Sequence, residues 1–284
     1  MKFKTIKYTI IIFALCHFLI QISYAYSLPL FDERFNEKGF IKKQPFNISI
    51  GYEYSSTDGF NLITSSKALS NTEISKYSSG IKTEADLYIT PFLKLFVNYT
   101  FRNSLLDIKY TLNKNNHQYL IKDYTSVFSK KSNEHIYMAG FEAAYEWSIK
   151  KYTPYISFKT GFGLTVSERY EDIFYNASFA LKAGTYITFN KNFILNIYTG
   201  ADYTTLFNNG LMIENINIAV PNEYLMTGMS VYNFYAAAEY QENYDKNINM
   251  LFGMELDIYK YSSIFAEIKF INSLIFHTGI KVKF

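Results

Sequence analysis

The sequence predicts an all-β fold: a transmembrane antiparallel up-and-down β-barrel of about ten strands, with eight or twelve as the alternative counts. Three observations carry this reading. Apolar and polar residues alternate with period two over segments longer than ordinary globular strands, so that one face is greasy and the other wet. Beyond residue 25 no run of about 18 apolar residues could make a spanning helix, while the mean hydropathy lies near zero, as it does when lipid-facing and lumen-facing side chains cancel in every window. Short turns and long polar connections also follow one another in regular order.

Residues 1–25 come first. Lys2, Lys4 and Lys7 precede an apolar stretch from about Tyr8 to Ile22, followed by Ser23, Tyr24 and Ala25. These are the three parts of a secretory signal peptide cut after Ala25. The apolar run is short for a membrane anchor, and Leu15 is too large beside Cys16 for lipoprotein processing. Removing the signal turns 28 basic and 25 acidic residues into 25 of each. A neutral exported chain offers no electrostatic footprint for nucleic acid. Cys16, the sole cysteine, leaves with the signal, so a mature chain has no disulfide, no thiol nucleophile and no cysteine metal site. Residues 26–45 read as a polar periplasmic leader, and 46–284 as the barrel.

The first strand is expected at 46–54, with Phe46, Ile48, Ile50, Tyr52 and Tyr54 on one face. The second, 81–90, sets Ile81, Ala85, Leu87 and Ile89 against Lys82, Glu84 and Asp86, and Pro91 breaks it. The third, 93–102, opposes Leu93, Leu95, Val97, Tyr99 and Phe101 to Lys94, Asn98, Thr100 and Arg102. In the fourth, 135–147, Tyr137, Ala139, Phe141, Ala143, Tyr145 and Trp147 alternate with Gly140, Glu142, Ala144 and Glu146. The fifth, 154–166, alternates Ile156, Phe158, Phe162, Leu164 and Val166 with Ser157, Lys159, Gly161 and Gly163. Strands at 177–189 and 193–203 flank Asn190-Lys191-Asn192, a tight hairpin turn. The last three are 248–259, 262–271 and 273–284.

Short turns fall near 90–92, 148–153, 190–192 and 260–262. Long polar stretches, read as external loops, cover about 55–79, 103–134, 167–176 and 204–247. That order puts all turns at one end and all loops at the other, with both termini on the periplasmic side. Within 204–247, residues 210–220 and 230–241 could each form a strand; the ten-strand count treats them as a structured loop. Trp147, Tyr152, Tyr155, Phe189, Phe193, Tyr259 and Tyr261 flank the short turns, as in an interfacial aromatic girdle. A secreted sandwich or lipocalin-like barrel would turn its apolar face inward, where ten strands of bulky aromatics do not fit.

The residues His277, Gly279, Val282 and Phe284 resemble the C-terminal signal of Gram-negative outer-membrane β-barrels: a polar residue, a glycine, a hydrophobic residue and a terminal aromatic at fixed spacing. The resemblance implies an outer-membrane location, outer-membrane lipid around the chain, and the barrel-assembly machinery as a partner. A looser one, over about residues 154–203, is to opacity-type small barrels and related surface antigens of the porin-like superfamily. Those usually have eight strands, whereas this chain has an additional hairpin.

Catalytic chemistry finds little support. Outer-membrane proteases resemble the chain in size and use aspartate and histidine at the external rim, but Asp107, His117 and Asp123 form no paired-aspartate motif. No cofactor, metal site or enzyme activity is expected. The wet face is more informative: Glu84, Arg102, Glu142, Lys159, Lys182, Glu255, Glu267, Lys269 and Lys281 all point to the lumen with both signs mixed, and His277 joins them as a polar filler. In a narrow barrel such charges pair across the interior. Two functional readings follow: a surface-exposed, adhesin-like structural or interaction barrel whose loops contact host or matrix components, and a small porin for ions or small solutes. An outer-membrane hydrolase is the weakest alternative.

Overall fold

The computed structural model describes residues 45–284 except 58–59, 66–68, 91, 148, 150, 169–172, 191, 207–211, 228–231, 243–247 and 260. The expected signal peptide at 1–25 and nearly all of the leader lie outside the described residues. In chain order the strands are β1 (Phe46–Thr57), β2 (Phe60–Ser65), β3 (Leu69–Thr90), β4 (Leu93–Leu112), β5 (Tyr124–Glu146), β6 (Tyr152–Ser167) and β7 (Ile173–Asn190). They continue with β8 (Phe193–Leu206), β9 (Met212–Val220), β10 (Tyr232–Glu242), β11 (Ile248–Ile258), β12 (Ser262–Phe270) and β13 (Ser273–Lys283).

Ten of them close into one antiparallel barrel in the order β1-β13-β12-β11-β8-β7-β6-β5-β4-β3. Each of the ten expected strands is one of these. Closure joins β13 to β1 in an unbroken register from Asn47 opposite Lys283 to Thr57 opposite Ser273, so no barrel edge is left unpaired. Residues 210–220 and 230–241, the ambiguous part of 204–247, largely coincide with β9 and β10. With β2 these form a separate three-stranded sheet in the order β2-β10-β9. The count of ten therefore holds, and the structured loop is itself a small sheet.

Outward side chains are apolar over a limited height. Along β5 and the residue that follows it the band runs from Tyr137 to Trp147, with Phe141, Tyr145 and Trp147 exposed; at ordinary rise and tilt this spans about 25 Å, the height of the apolar band of a membrane barrel. Tyr152, Phe189, Phe193, Tyr259 and Tyr261 are exposed at the turn end. Tyr155 departs from the expectation: it is 6% exposed, and its hydroxyl donates to Asn196 Oδ1 at 3.2 Å. It belongs to the lumen, as its register between outward neighbours requires.

The long loops expected at 55–79 and 103–134 are mostly strand. β3, β4 and β5 run on past the apolar band as a three-stranded wall, paired from Leu69 opposite Leu112 and from Leu112 opposite Tyr124. Alternation persists there, but with its sense reversed. Lower on β4 the inward positions are Lys94, Asn98, Thr100 and Arg102; higher up they are Leu106, Ile108, Tyr110 and Leu112, all buried. The outward face of the wall becomes polar, with Lys109 paired to Glu73 at 3.1 Å and Ser129 donating to Asp107 at 2.6 Å. At the same end, the connection between β12 and β13 is a two-residue turn, not a loop.

Candidate functional site: the charged lumen and its capped mouth

Side chains of the lumen come from alternate positions of all ten barrel strands. The structure places every sequence-expected lumen charge except Arg102 in an ion pair of 3.0 Å or less. Lys159 donates to both oxygens of Glu84, at 3.0 and 2.9 Å, reaching across from β6 to β3. Lys182 on β7 donates to Glu267 on β12 at 3.0 Å, and the Tyr198 hydroxyl donates to the same oxygen at 3.0 Å. Lys281 bonds Glu255 at 2.8 Å, whose other oxygen accepts from Ser263 at 2.7 Å. Glu142 meets Lys94 at 2.9 Å, and Lys269 meets Asp202 at 2.9 Å. Arg102 lies 3.7 Å from both Glu53 and Glu134.

Several of these partners escaped the sequence reading. Glu53 and Asp202 share the parity of the wet face, so alternation alone could have found them. Lys76 and Glu134, paired at 2.6 Å, sat in stretches taken for loops.

Aromatic rings fill space that the charges leave. Lys159 Nζ lies 4.0 Å from the centre of the Phe96 ring, and Lys182 Nζ 4.6 Å from that of Tyr198, cation–π contacts that hold the cationic heads over apolar surface. Rings need room on a crowded inner wall, and glycine provides it. Tyr198 lies against Gly253, where any Cβ would collide with the ring. His277 leans over Gly51, whose added Cβ would meet Nε2 at 2.7 Å, and packs edge-on to Phe265 at 4.8 Å. Gly279 faces Gly51 across the closing seam. Of the proposed assembly-signal residues, His277 and Gly279 thus point inward, while Val282 and Phe284 are exposed on the outer surface.

Two cavities result, one toward the turn end of about 160 Å³ and one toward the loop end of about 310 Å³. Lys82, Lys159, Lys182 and Glu267 line both. These four form the belt between an inner and an outer vestibule.

Above the outer vestibule sits a hydrophobic core that a plain barrel lacks. Ile216, Ile218 and Val220 of β9 pack with Leu225 against Ile74, Leu106, Ile108, Tyr110 and Leu112 of the wall. Because those wall residues continue the lumen face, the small sheet lies on the axis side of the wall and covers part of the mouth. The segment after β4 is tied to it as well: Ile121 N–H donates to Tyr224 O at 2.9 Å, Met226 N–H to Tyr119 O at 3.0 Å, and Leu120 bridges Leu225. Burial holds the Tyr110 phenol above its usual range.

Asp107, His117 and Asp123 have ordinary structural roles. Asp107 accepts from Ser129, Asp123 accepts from the Lys114 N–H at 2.8 Å, and the His117 N–H caps the short 3₁₀ turn Lys114–Asn116. Among the described residues no three His, Cys, Asp or Glu side chains cluster as a metal site would require.

No protein-family model matches the chain, and no curated protein matches it. Solved structures similar to it include the β domain of the Bordetella autotransporter BrkA, at 10% identity over 85% of this chain and 99% of that one with a TM-score of 0.40. The outer-membrane protein OprG of Pseudomonas aeruginosa is 10% identical over 85% and 96%, with a TM-score of 0.37. The outer-membrane protease OmpT of Escherichia coli is 7% identical over 87% and 99%, with a TM-score of 0.30. These are weak overall likenesses, and the functional reading rests on the chain's own residues.

Proposed function

We propose that the chain is a Gram-negative outer-membrane barrel whose function is carried at the cell surface by the β3–β5 wall and the sheet docked on it. The membrane reading is supported by the outward apolar band flanked by exposed Trp147, Tyr152, Phe189 and Tyr259 at the turn end. The surface reading is carried by one observation: the chain builds a second hydrophobic core, Ile108 with Ile216 and Ile218, beyond the band. A barrel serving only to span lipid gains nothing from ordering such a structure, and ordering it costs about 1–2 kcal/mol per residue in backbone entropy. A rigid platform suits contact with host or matrix components.

The competing reading is a small channel, favoured by the two vestibules that meet at the Lys82, Lys159, Lys182 and Glu267 belt. Planar-bilayer conductance of the purified chain separates them, with protease protection confirming insertion. Silence from a protected barrel supports the surface role. Discrete current steps establish a water path and favour the channel.

A further inference from the structure

Among the described residues, the outer vestibule carries more positive charge than its ion pairs neutralise. Its cations are Lys76, Lys82, Arg102, Lys159, Lys182 and Lys269. Lys159, Lys182 and Lys269 each have a carboxylate of their own in Glu84, Glu267 and Asp202. The remaining three share two, in a chain along the β1, β3, β4 and β5 wall. Lys82 lies 3.9 Å from Glu53, Arg102 lies 3.7 Å from both Glu53 and Glu134, and Lys76 lies 2.6 Å from Glu134. Among the described residues one positive charge is left over, and it is centred on Arg102.

Arg102 is also short of acceptors. Neither carboxylate is within hydrogen-bond reach of its guanidinium. Among the described residues its one side-chain hydrogen bond is to Ser55 Oγ at 3.5 Å, and its buried Nε, 3.7 Å from Glu134, has no hydrogen-bond partner. A guanidinium has five N–H donors in a planar fork suited to two oxygens of one anion. Hydroxyls of Ser55, Ser78 and Thr100 line the same cavity. The vestibule reaches the loop-end rim, where Thr57 ends β1, Ser167 ends β6 and Ser273 begins β13.

We propose that Arg102, flanked by Lys76 and Lys82, is a binding site for a small oxyanion, a carboxylate or phosphate entering from the loop end. The site depends on the barrel fold and not on whether the barrel acts as a surface platform or a channel.

The test is calorimetric titration of the purified chain in neutral detergent, with inorganic phosphate and with acetate at fixed ionic strength. Wild type binds at least one saturably. Arg102→Gln weakens that binding about tenfold, and Arg102→Lys, which keeps the charge and loses the fork, falls between. Lys109→Gln, on the outer face of the wall, leaves it unchanged. Absence of saturable binding by folded wild type, or equal affinity in Arg102→Gln, overturns the site. If Arg102→Gln does not fold, Lys76→Gln and Lys82→Gln decide: weaker binding in either supports the site, and unchanged affinity in both overturns it.

Discussion

The backbone N–H of Phe284 donates to the carbonyl of Phe46 at 2.8 Å, and the two rings lie 5.9 Å apart. This pair is the clasp at the turn end of the closing seam between β13 and β1. Phe46 is buried while Phe284 is 57% exposed, so Phe284 covers its partner. Replacing Phe284 by Ser removes the ring contact, worth about 0.5–1.5 kcal/mol, from the seam that closes the barrel. The expected outcome is a smaller fraction of closed barrel on refolding into vesicles, read as the heat-modifiable band on gels. Wild-type yield would show that the seam closes without the clasp.

Gly253 and Tyr198 sit opposite each other on β11 and β8. Since the ring of Tyr198 occupies the space of any Cβ at 253, Gly253→Val must displace the phenol from Glu267. Overpacking of this kind costs about 1–3 kcal/mol. The double variant Gly253→Val, Tyr198→Ala should recover part of that loss, measured as urea midpoints. A single variant as stable as wild type would mean that the ring is free to move aside.

The ten barrel strands were legible because each keeps a single phase of alternation through the apolar band: Lys94 to Arg102 on β4, Glu142 on β5, Lys159 on β6. The wall was not legible because its phase inverts. After Ser104 the even positions of β4 become Leu106, Ile108, Tyr110 and Leu112, since the neighbour on that side is no longer a wet lumen but β9. A reading that expects one greasy face sees the change of phase as the end of the strand. Tyr155 was misplaced for a related reason: proximity to a turn says nothing about face, and only its parity with Ser157 and Lys159 does. The Arg102 cluster was half visible, because Glu53 lay in a recognised strand and Glu134 did not.

Ion pairs inside and outside the barrel should differ sharply in worth. Glu267→Gln leaves Lys182 facing a neutral partner within the lumen, and breaking a buried pair of this kind costs about 3–5 kcal/mol. Glu73→Gln breaks the pair with Lys109, whose side chains are 54% and 69% exposed for Lys109 and Glu73, and should cost under about 1 kcal/mol. Equilibrium urea unfolding of both variants checks the contrast. Equal losses would place Lys182 in an environment as wet as the surface.

The platform should be sensitive to alkali. Burial of Tyr110 against β9 keeps its phenol protonated above the usual range. A folded-state value raised in this way means that the unfolded phenol ionises first. Stability is therefore full below about pH 10, the value for a free tyrosine, and falls as pH rises above it. Tyr110→Phe should flatten that fall, as measured by protease cleavage of the β9–β10 segment between pH 9 and 11 (a range set about the free-tyrosine value). An identical pH profile in the variant would assign the alkaline loss to other groups.

The wall and the small sheet should come apart without opening the barrel. Ile108 and Ile218 are each 1% exposed or less and lie in the core shared by the wall and β9, while the barrel closes through pairings that do not involve β9. Truncating either isoleucine to Ala removes about 2–5 kcal/mol from that contact, which is enough to let so small a sheet detach. Hydrogen exchange should then rise across Met212–Val220 and Tyr232–Glu242 while β11, β12 and β13 stay protected. The same variants should keep wild-type heat resistance of the barrel and lose any binding carried by the platform. Uniform loss of protection across all strands would show instead that the second core holds the barrel together, because β9 would then be bracing the wall whose lower half closes the lumen.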